Sequence, residues 1–339
     1  MARAIGIVDE ANEGGNEDKL GIEIHSESLI EFIEDTNTPI TVGIQGEWGS
    51  GKTSLINKIY HHFDQPEYKH VKQIWINSWE YSLLSTPEET LLKIVNRIIQ
   101  DLILVDGNVK RGEQIRDGAK KIFNGALRVG ASAALGSKAG DVVDELIGDD
   151  TKSIKDLRKH LEDLINNIDK RESNPVNRII IYVDDLDRIE PRNAVTLLEL
   201  LKNIFSVPKC VFILAIDYQV VVKGLEHKFG KQTPENEWEF RAFFDKIIQL
   251  PFMMPMGQYN IGKYVNSLLQ DIGFVEGEGL DAESVREIIL RTIQGNPRSI
   301  KRLVNSVSLI QIFADEKKKI ETNKTAEARL TEHDEKMLL

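Results

Sequence analysis

The chain has a single cysteine, Cys210, in 339 residues. No intramolecular disulfide can form, so the fold must rest on its apolar core. Cys210 sits inside an apolar run and reads as a small core residue. The seven histidines are scattered, and the Cys/His spacing of a zinc site does not occur. No apolar run approaches the ~20 residues that span a bilayer, so no transmembrane span is expected. The first residues lack the basic, apolar and small-residue succession of a secretory signal. The expected compartment is cytoplasmic. Positive charge is also scarce: 43 Lys and Arg stand against 54 Asp and Glu, a net charge of −11. That argues against a protein that coats nucleic acid by bulk electrostatics. Nucleic acid stays open as a partner through local basic groups: Lys110 with Arg111, Lys120 with Lys121, and Arg298 with Lys301 and Arg302.

What is present is an ordinary globular balance, 41% hydrophobic and 29% charged. The length suffices for one α/β core and a smaller helical domain. Residues 46–53, Gly46-Glu47-Trp48-Gly49-Ser50-Gly51-Lys52-Thr53, match G-x-x-x-x-G-K-[ST] in full. An apolar β-prone run, Pro39–Ile44, precedes them, and a helix-like stretch from Ser54 to Tyr60 follows. Strand, glycine-rich loop and helix are the setting a P-loop requires. Successive backbone N–H groups at a helix N-terminus favour a polyphosphate. Gly46 to Ser54 are therefore expected to cradle phosphate. Within them Lys52 reaches the β/γ-phosphates and the Thr53 hydroxyl sits on Mg²⁺.

Hydrolysis would need a metal-holding acid and a group that places water. Ile179 to Val183 form a buried-strand signature that ends in two adjacent carboxylates, Asp184 and Asp185. This is a Walker B arrangement. The metal role falls to Asp184 at the strand end, and the water role to Asp185. Alternation along a strand points neighbouring side chains apart, so the two should not share one task. In the loop that follows, Asp187 is a turn or capping residue on its bland reading. Arg188 either pairs with a nearby Asp, senses the γ-phosphate, or acts on a neighbouring subunit as an arginine finger. A further strand, Cys210–Ile216, ends at Asp217, which either reads the γ-phosphate or caps the next helix.

An extra strand, Gln73–Asn77, lies between the P-loop and Asp184. That places the chain in the P-loop branch with a catalytic acid beside Walker B. The guanine-reading Asn-Lys-x-Asp is missing, since Asn323-Lys324-Thr325-Ala326 lacks the Asp. ATP is the expected nucleotide. The Leu-Ser-Gly-Gly-Gln signature of transporter ATPases is missing too.

Five segments together resemble the KAP family of P-loop NTPases. They are the Walker A with Trp48 before its second glycine, Ile74–Tyr81, Asp184-Asp185-Leu186-Asp187-Arg188, Phe243–Pro251, and Gly295–Arg302. They fall in the family's order between about residues 18 and 306. The resemblance implies an ATPase, often linked in prokaryotes to defence against phage or mobile elements. Self-association and an effector or defence protein as partner follow from the same resemblance. Many members insert transmembrane helices between Walker A and Walker B. Here the most apolar part of that region, Gly125–Gly140, is small-residue-rich and broken by Arg128 and Lys138.

The expected architecture is a P-loop α/β fold with a five-stranded, mostly parallel sheet flanked by helices. Residues 1–17 read as a flexible N-terminus and 18–255 as the core, with a helical insertion over about 105–170. Residues 256–314 read as a helical lid, and 315–339 as a charged tail that could begin a further domain. Further expectations are a helix capped by Ser26, a fifth strand over Lys246–Pro251, and a last helix over Pro297–Phe313. Arg298, in the first turn of that helix, is the expected γ-phosphate sensor of the lid. The expected activity is Mg²⁺-dependent ATP hydrolysis driving a conformational or assembly switch. The alternative is a scaffold gated by bound ATP with little turnover.

Overall fold

The computed structural model describes residues 5–83, 85–106, 112, 113, 115, 118, 155–168, 175–277 and 279–337. Most of the expected insertion, including Gly125–Gly140 and the basic pairs at 110–111 and 120–121, lies outside them. The chain divides into two units: residues 12–16 with 24–254, and residues 1–11, 17–23 and 255–339.

The first unit is built on one sheet of five parallel strands. They are β1 (Ile40–Gln45), β2 (Val71–Asn77), β3 (Arg178–Asp184), β4 (Cys210–Ile216) and β5 (Leu250–Met253), in the spatial order β2-β3-β4-β1-β5. The inner strands are continuous apolar runs because both faces are covered. All seven residues of β4 are buried, as are six of seven in β3. Alternation divides the side chains between two cores. Ile179, Ile181 and Val183 pack on one face with α4 (Pro87–Asp106), helical residues 155–168 (α5), α6 (Pro191–Ile204), α7 (Tyr218–Phe229) and α8 (Glu237–Ile247). On the other face Tyr182 stacks on Trp75, and Tyr60 of α2 (Lys52–Phe63) meets both rings edge-on. Arg178 ties the start of β3 to α1 (Glu23–Asp35) by donating to the Ile33 and Thr36 carbonyls at 2.5 and 3.1 Å.

Several boundaries differ from expectation. The first helix starts at Glu23, so Ser26 is a buried residue inside it rather than its cap. Lys246 and Ile247 end α8, and the fifth strand begins only at Leu250. The apolar content of Lys246–Pro251 serves both elements, which is why it reads as one strand. Pro251 is tolerated because β5 lies at the sheet edge. By contrast, α4 begins with a full capping box at Thr86. The Glu89 N–H donates to Thr86 Oγ1 at 3.3 Å, and the Thr86 N–H donates to Glu89 Oε2 at 3.1 Å.

Among the described residues the second unit carries the α-helices α9 (Ile261–Asp271), α10 (Ala282–Ile293) and α11 (Pro297–Met337). Asp281 caps α10 by accepting the Ser284 N–H at 2.8 Å. Asn296 caps α11 by accepting the Arg298 and Ser299 N–H groups at 3.1 and 3.3 Å. α11 runs 24 residues past Phe313. The tail is rich in Lys and Glu, which favour helix without supplying an apolar stripe. Residues 5–10, expected to be poorly ordered, are bonded along α11. Asn305 exchanges two hydrogen bonds with the Ile7 backbone, and Ser308 donates to the Ile5 carbonyl at 2.6 Å. Among the described residues no helix is long and apolar enough to cross a membrane.

Candidate nucleotide site

The carboxyl ends of β1, β3 and β4 carry the chemistry, as expected for ligands of an open parallel sheet. After β1 the chain turns through Gly49 and Gly51, at φ 85° and 100°, a left-handed backbone that only glycine adopts cheaply. The turn delivers Lys52 to the first position of α2.

Lys52 is buried, and its ammonium is held by three acceptors. It donates to the Gly46 and Glu47 carbonyls at 2.8 and 3.3 Å and to Asp187 Oδ2 at 3.0 Å. Both side chains of that ion pair are less than a tenth exposed, at 7% and 8%. Asp187, the turn residue of the sequence reading, is thus the counter-ion of the P-loop lysine. Its position two residues past the Walker B acids was visible. Its partner, 135 residues earlier, was not.

Asp184 is also buried. Burial raises its pKa, against hydrogen bonds from the Asp185 N–H and the Thr53 side chain, while Asp187 raises it further and Lys52 lowers it. The Thr53 contact joins the two residues assigned to the metal. Among the described residues no three His, Cys, Asp or Glu side chains converge as a metal cage. A P-loop Mg²⁺ does not need one, because phosphates and water complete its shell. One hydroxyl and one carboxylate in mutual reach are the hard oxygen donors that suit it.

Asp185 leaves the strand with φ 57°, in the left-handed region. The chain leaves the strand conformation here, so strand alternation does not set the direction of the Asp185 side chain. Asp185 Oδ1 accepts Arg188 Nε at 2.7 Å, and its carboxylate also bonds the Asn77 side chain. Burial raises its pKa first, Asp184 and Asp187 add to that, and Arg188 and Asn77 oppose it. Asn77 stands opposite Asp184 in the β2–β3 register. It also caps α3 (Ser78–Ser82), accepting the Trp79 and Glu80 N–H groups at 3.1 and 3.4 Å. Its place at the end of an apolar strand beside Walker B was the available signal.

Arg188 takes the nearby-Asp option of the three expected. Its guanidinium carbon lies 5.7 Å from the Trp48 ring centroid and 4.8 Å from that of Trp79. Asp217 adopts the capping geometry, accepting the Gln219 N–H at 2.9 Å at the start of α7. Ser54 Oγ accepts the Asn12 N–H at 3.0 Å, and Asn57 donates to the Asn12 carbonyl at 2.8 Å, so residues 12–14 lie along α2. Ser50 is buried in the loop. Arg298 belongs to the second unit, where Nε donates to Asp9 Oδ2 at 2.5 Å.

Sheet order, P-loop and Walker B acids define a P-loop NTPase, a nucleotide-binding class. More narrowly, the chain belongs to the KAP family: the KAP family P-loop domain matches residues 23–313. A relative is the Phage T7 exclusion protein of Escherichia coli K12, 25% identical over 336 aligned positions. The match covers 88% of this chain and 42% of that protein, so the chain spans less than half of its relative's length. Two solved structures are similar at 14% identity. The Aeropyrum pernix ORC1 protein in complex with DNA has a TM-score of 0.44, with 86% of this chain and 60% of that chain covered. The Aeropyrum pernix ORC2 protein has a TM-score of 0.38, with 87% and 64% covered.

Proposed function

We propose that the chain binds Mg·ATP at residues 46–54 and hydrolyses it, and that the phosphate state drives a conformational or assembly switch. The observation that carries this reading is the convergence of three separate functions at one edge of the sheet. They are a buried Lys52, a Thr53–Asp184 pair, and a distinct carboxylate, Asp185.

Lys52 exchanges Asp187 for phosphate oxygens when nucleotide enters. Backbone N–H groups of residues 49–53 at the start of α2 take the phosphate charge. Thr53 and Asp184 would hold Mg²⁺, which when bound neutralises charge on the phosphate oxygens and fixes their geometry. Asp185 takes a proton from water or orients it; burial makes its carboxylate a stronger base than an ordinary aspartate. Arg188 and Arg298 are the two candidates for sensing the γ-phosphate. Asp217 keeps a place beside the phosphates through its position at the end of β4.

Family membership supports an NTPase, and the name of the 25% identical relative supports a role in excluding phage. Self-association and an effector partner belong to the same proposal, as does a cytoplasmic location. Multiple-turnover phosphate release, with sizing of the protein in ATP and in ADP, tests it. Turnover with a nucleotide-dependent change in assembly is expected. The second reading, a nucleotide-gated scaffold, draws on the engagement of both Lys52 and Asp185 by protein partners. Saturable ATP binding without phosphate release would select it.

A further inference from the structure

Three chain segments meet at the Arg188 guanidinium. Trp48 comes from the phosphate loop, Trp79 from α3 after β2, and Arg188 itself from the turn after β3. Both rings lie within the ~6 Å at which a cation is drawn to an aromatic face. The two tryptophans are 59% and 38% exposed, although their size would favour burial if packing were their only task. Trp79 is fixed from below by Asn77, which caps its helix and also bonds Asp185. The guanidinium that the rings hold is the one whose Nε engages Asp185 Oδ1 at 2.7 Å.

This arrangement has a chemical consequence. A carboxylate that must accept a proton from water needs an oxygen facing that water. With Arg188 on Oδ1 at 2.7 Å, that oxygen of Asp185 is held by a cation rather than turned to water. The loop that carries Trp48 is the loop whose N–H groups must close on phosphate. A ligand there acts directly on one jaw of the clamp.

The geometry points to Trp48 and Trp79 as a clamp that keeps Arg188 on Asp185 until nucleotide moves Trp48, which frees the acid. Trp79 is on this account a positioning residue that acts through Arg188. The inference rests on the assignment of Asp185 to water. It adds a gate that joins occupancy of the phosphate loop to exposure of the acid. It also makes Arg188 a group acting within its own chain.

The test uses the full chain. Steady-state phosphate release is measured for wild type, Trp79→Ala and Trp79→Phe. Loosening the clamp shifts the closed population by about five-fold, the effect of one exposed cation–π contact. Because nucleotide itself opens the clamp, Trp79→Ala should lower KM for Mg·ATP by about five-fold with kcat little changed. Trp79→Phe keeps a ring and should return KM to within about two-fold of wild type. A raised KM for Trp79→Ala would overturn the gate, as would equal KM in the two variants. A second readout does not need turnover. Acrylamide quenching of tryptophan emission should increase when Mg·ATP is added to wild type at a concentration that calorimetry shows to be saturating. The increase should be lost in Arg188→Ala. Quenching indifferent to bound nucleotide overturns the clamp. Binding with an emission response but no phosphate release leaves the clamp standing and overturns the hydrolytic reading instead.

Discussion

Replacing Asp187 with Asn should weaken the nucleotide-free protein and tighten its grip on nucleotide. The perturbation removes one charge at nearly constant shape. Both members of the Lys52–Asp187 pair are over nine-tenths buried, so the small energies of surface ion pairs do not apply. Deleting one partner of a buried pair typically costs ~3–5 kcal/mol. The amide oxygen still accepts from Lys52, and the Gly46 and Glu47 carbonyls remain in place. The loss is then closer to that of one charged hydrogen bond, about 2 kcal/mol. For a folding unit of this size that lowers Tm by about 4–8 °C. In the bound state phosphate oxygens take the place of Asp187, so the penalty is confined to the free protein. The same 2 kcal/mol then appears as binding, tightening Kd by about 30-fold. The assay is thermal unfolding with and without saturating Mg·ATP, beside calorimetric binding. The melting curves of variant and wild type should separate when free and converge when bound. An equal loss of Tm in both states, with Kd unchanged, would refute the reasoning.

Lys52→Ala should abolish nucleotide binding and lower Tm, because Asp187 is left buried without its cation. Adding Asp187→Ala to that variant should recover part of the Tm, a coupling that double-mutant unfolding reads directly. Asp184→Asn should melt above wild type at neutral pH without nucleotide. Burial raises the Asp184 pKa above its unfolded value, so the folded protein binds protons more tightly and stability falls as pH rises through that raised value. The advantage of the variant should vanish as pH falls toward the ordinary aspartate range, and unfolding curves across pH check it. Gly224→Ala should destabilise the core by about 2 kcal/mol or more through overpacking. A Cβ at Gly224 would stand 2.1 Å from the Pro191 carbonyl oxygen, where α7 crosses α6. Denaturant unfolding would show it.

The parts of the site that depend on contiguous residues were legible. Eight residues with glycines at fixed positions imply a strand, a left-handed turn and a helix N-terminus. Five apolar residues followed by two acids imply a buried strand with a polar end. The sheet was legible for the same reason, since β3 and β4 are unbroken apolar runs. The pairs that close the site were not. Lys52 with Asp187, Asp185 with Asn77, and Trp48 with Trp79 around Arg188 each join distant segments. A single sequence carries no signal for which of several nearby polar residues will meet. Asp187 illustrates the point: its turn position was evident, but only the arrangement of β1, β4 and β3 brings it to the lysine. Element ends failed where one run of residues serves two elements, as at Ile247–Leu250, or where helix propensity continues without an apolar face, as beyond Phe313 in α11.

The central claim is that Asp185 places the attacking water while leaving nucleotide binding to other residues. The most direct test is steady-state phosphate release from Mg·ATP by wild type beside Asp185→Asn, with nucleotide affinity measured on both. Similar affinity is expected for the two proteins, with turnover by wild type and a loss of about 100-fold or more in the variant. Equal turnover by the two proteins would contradict it.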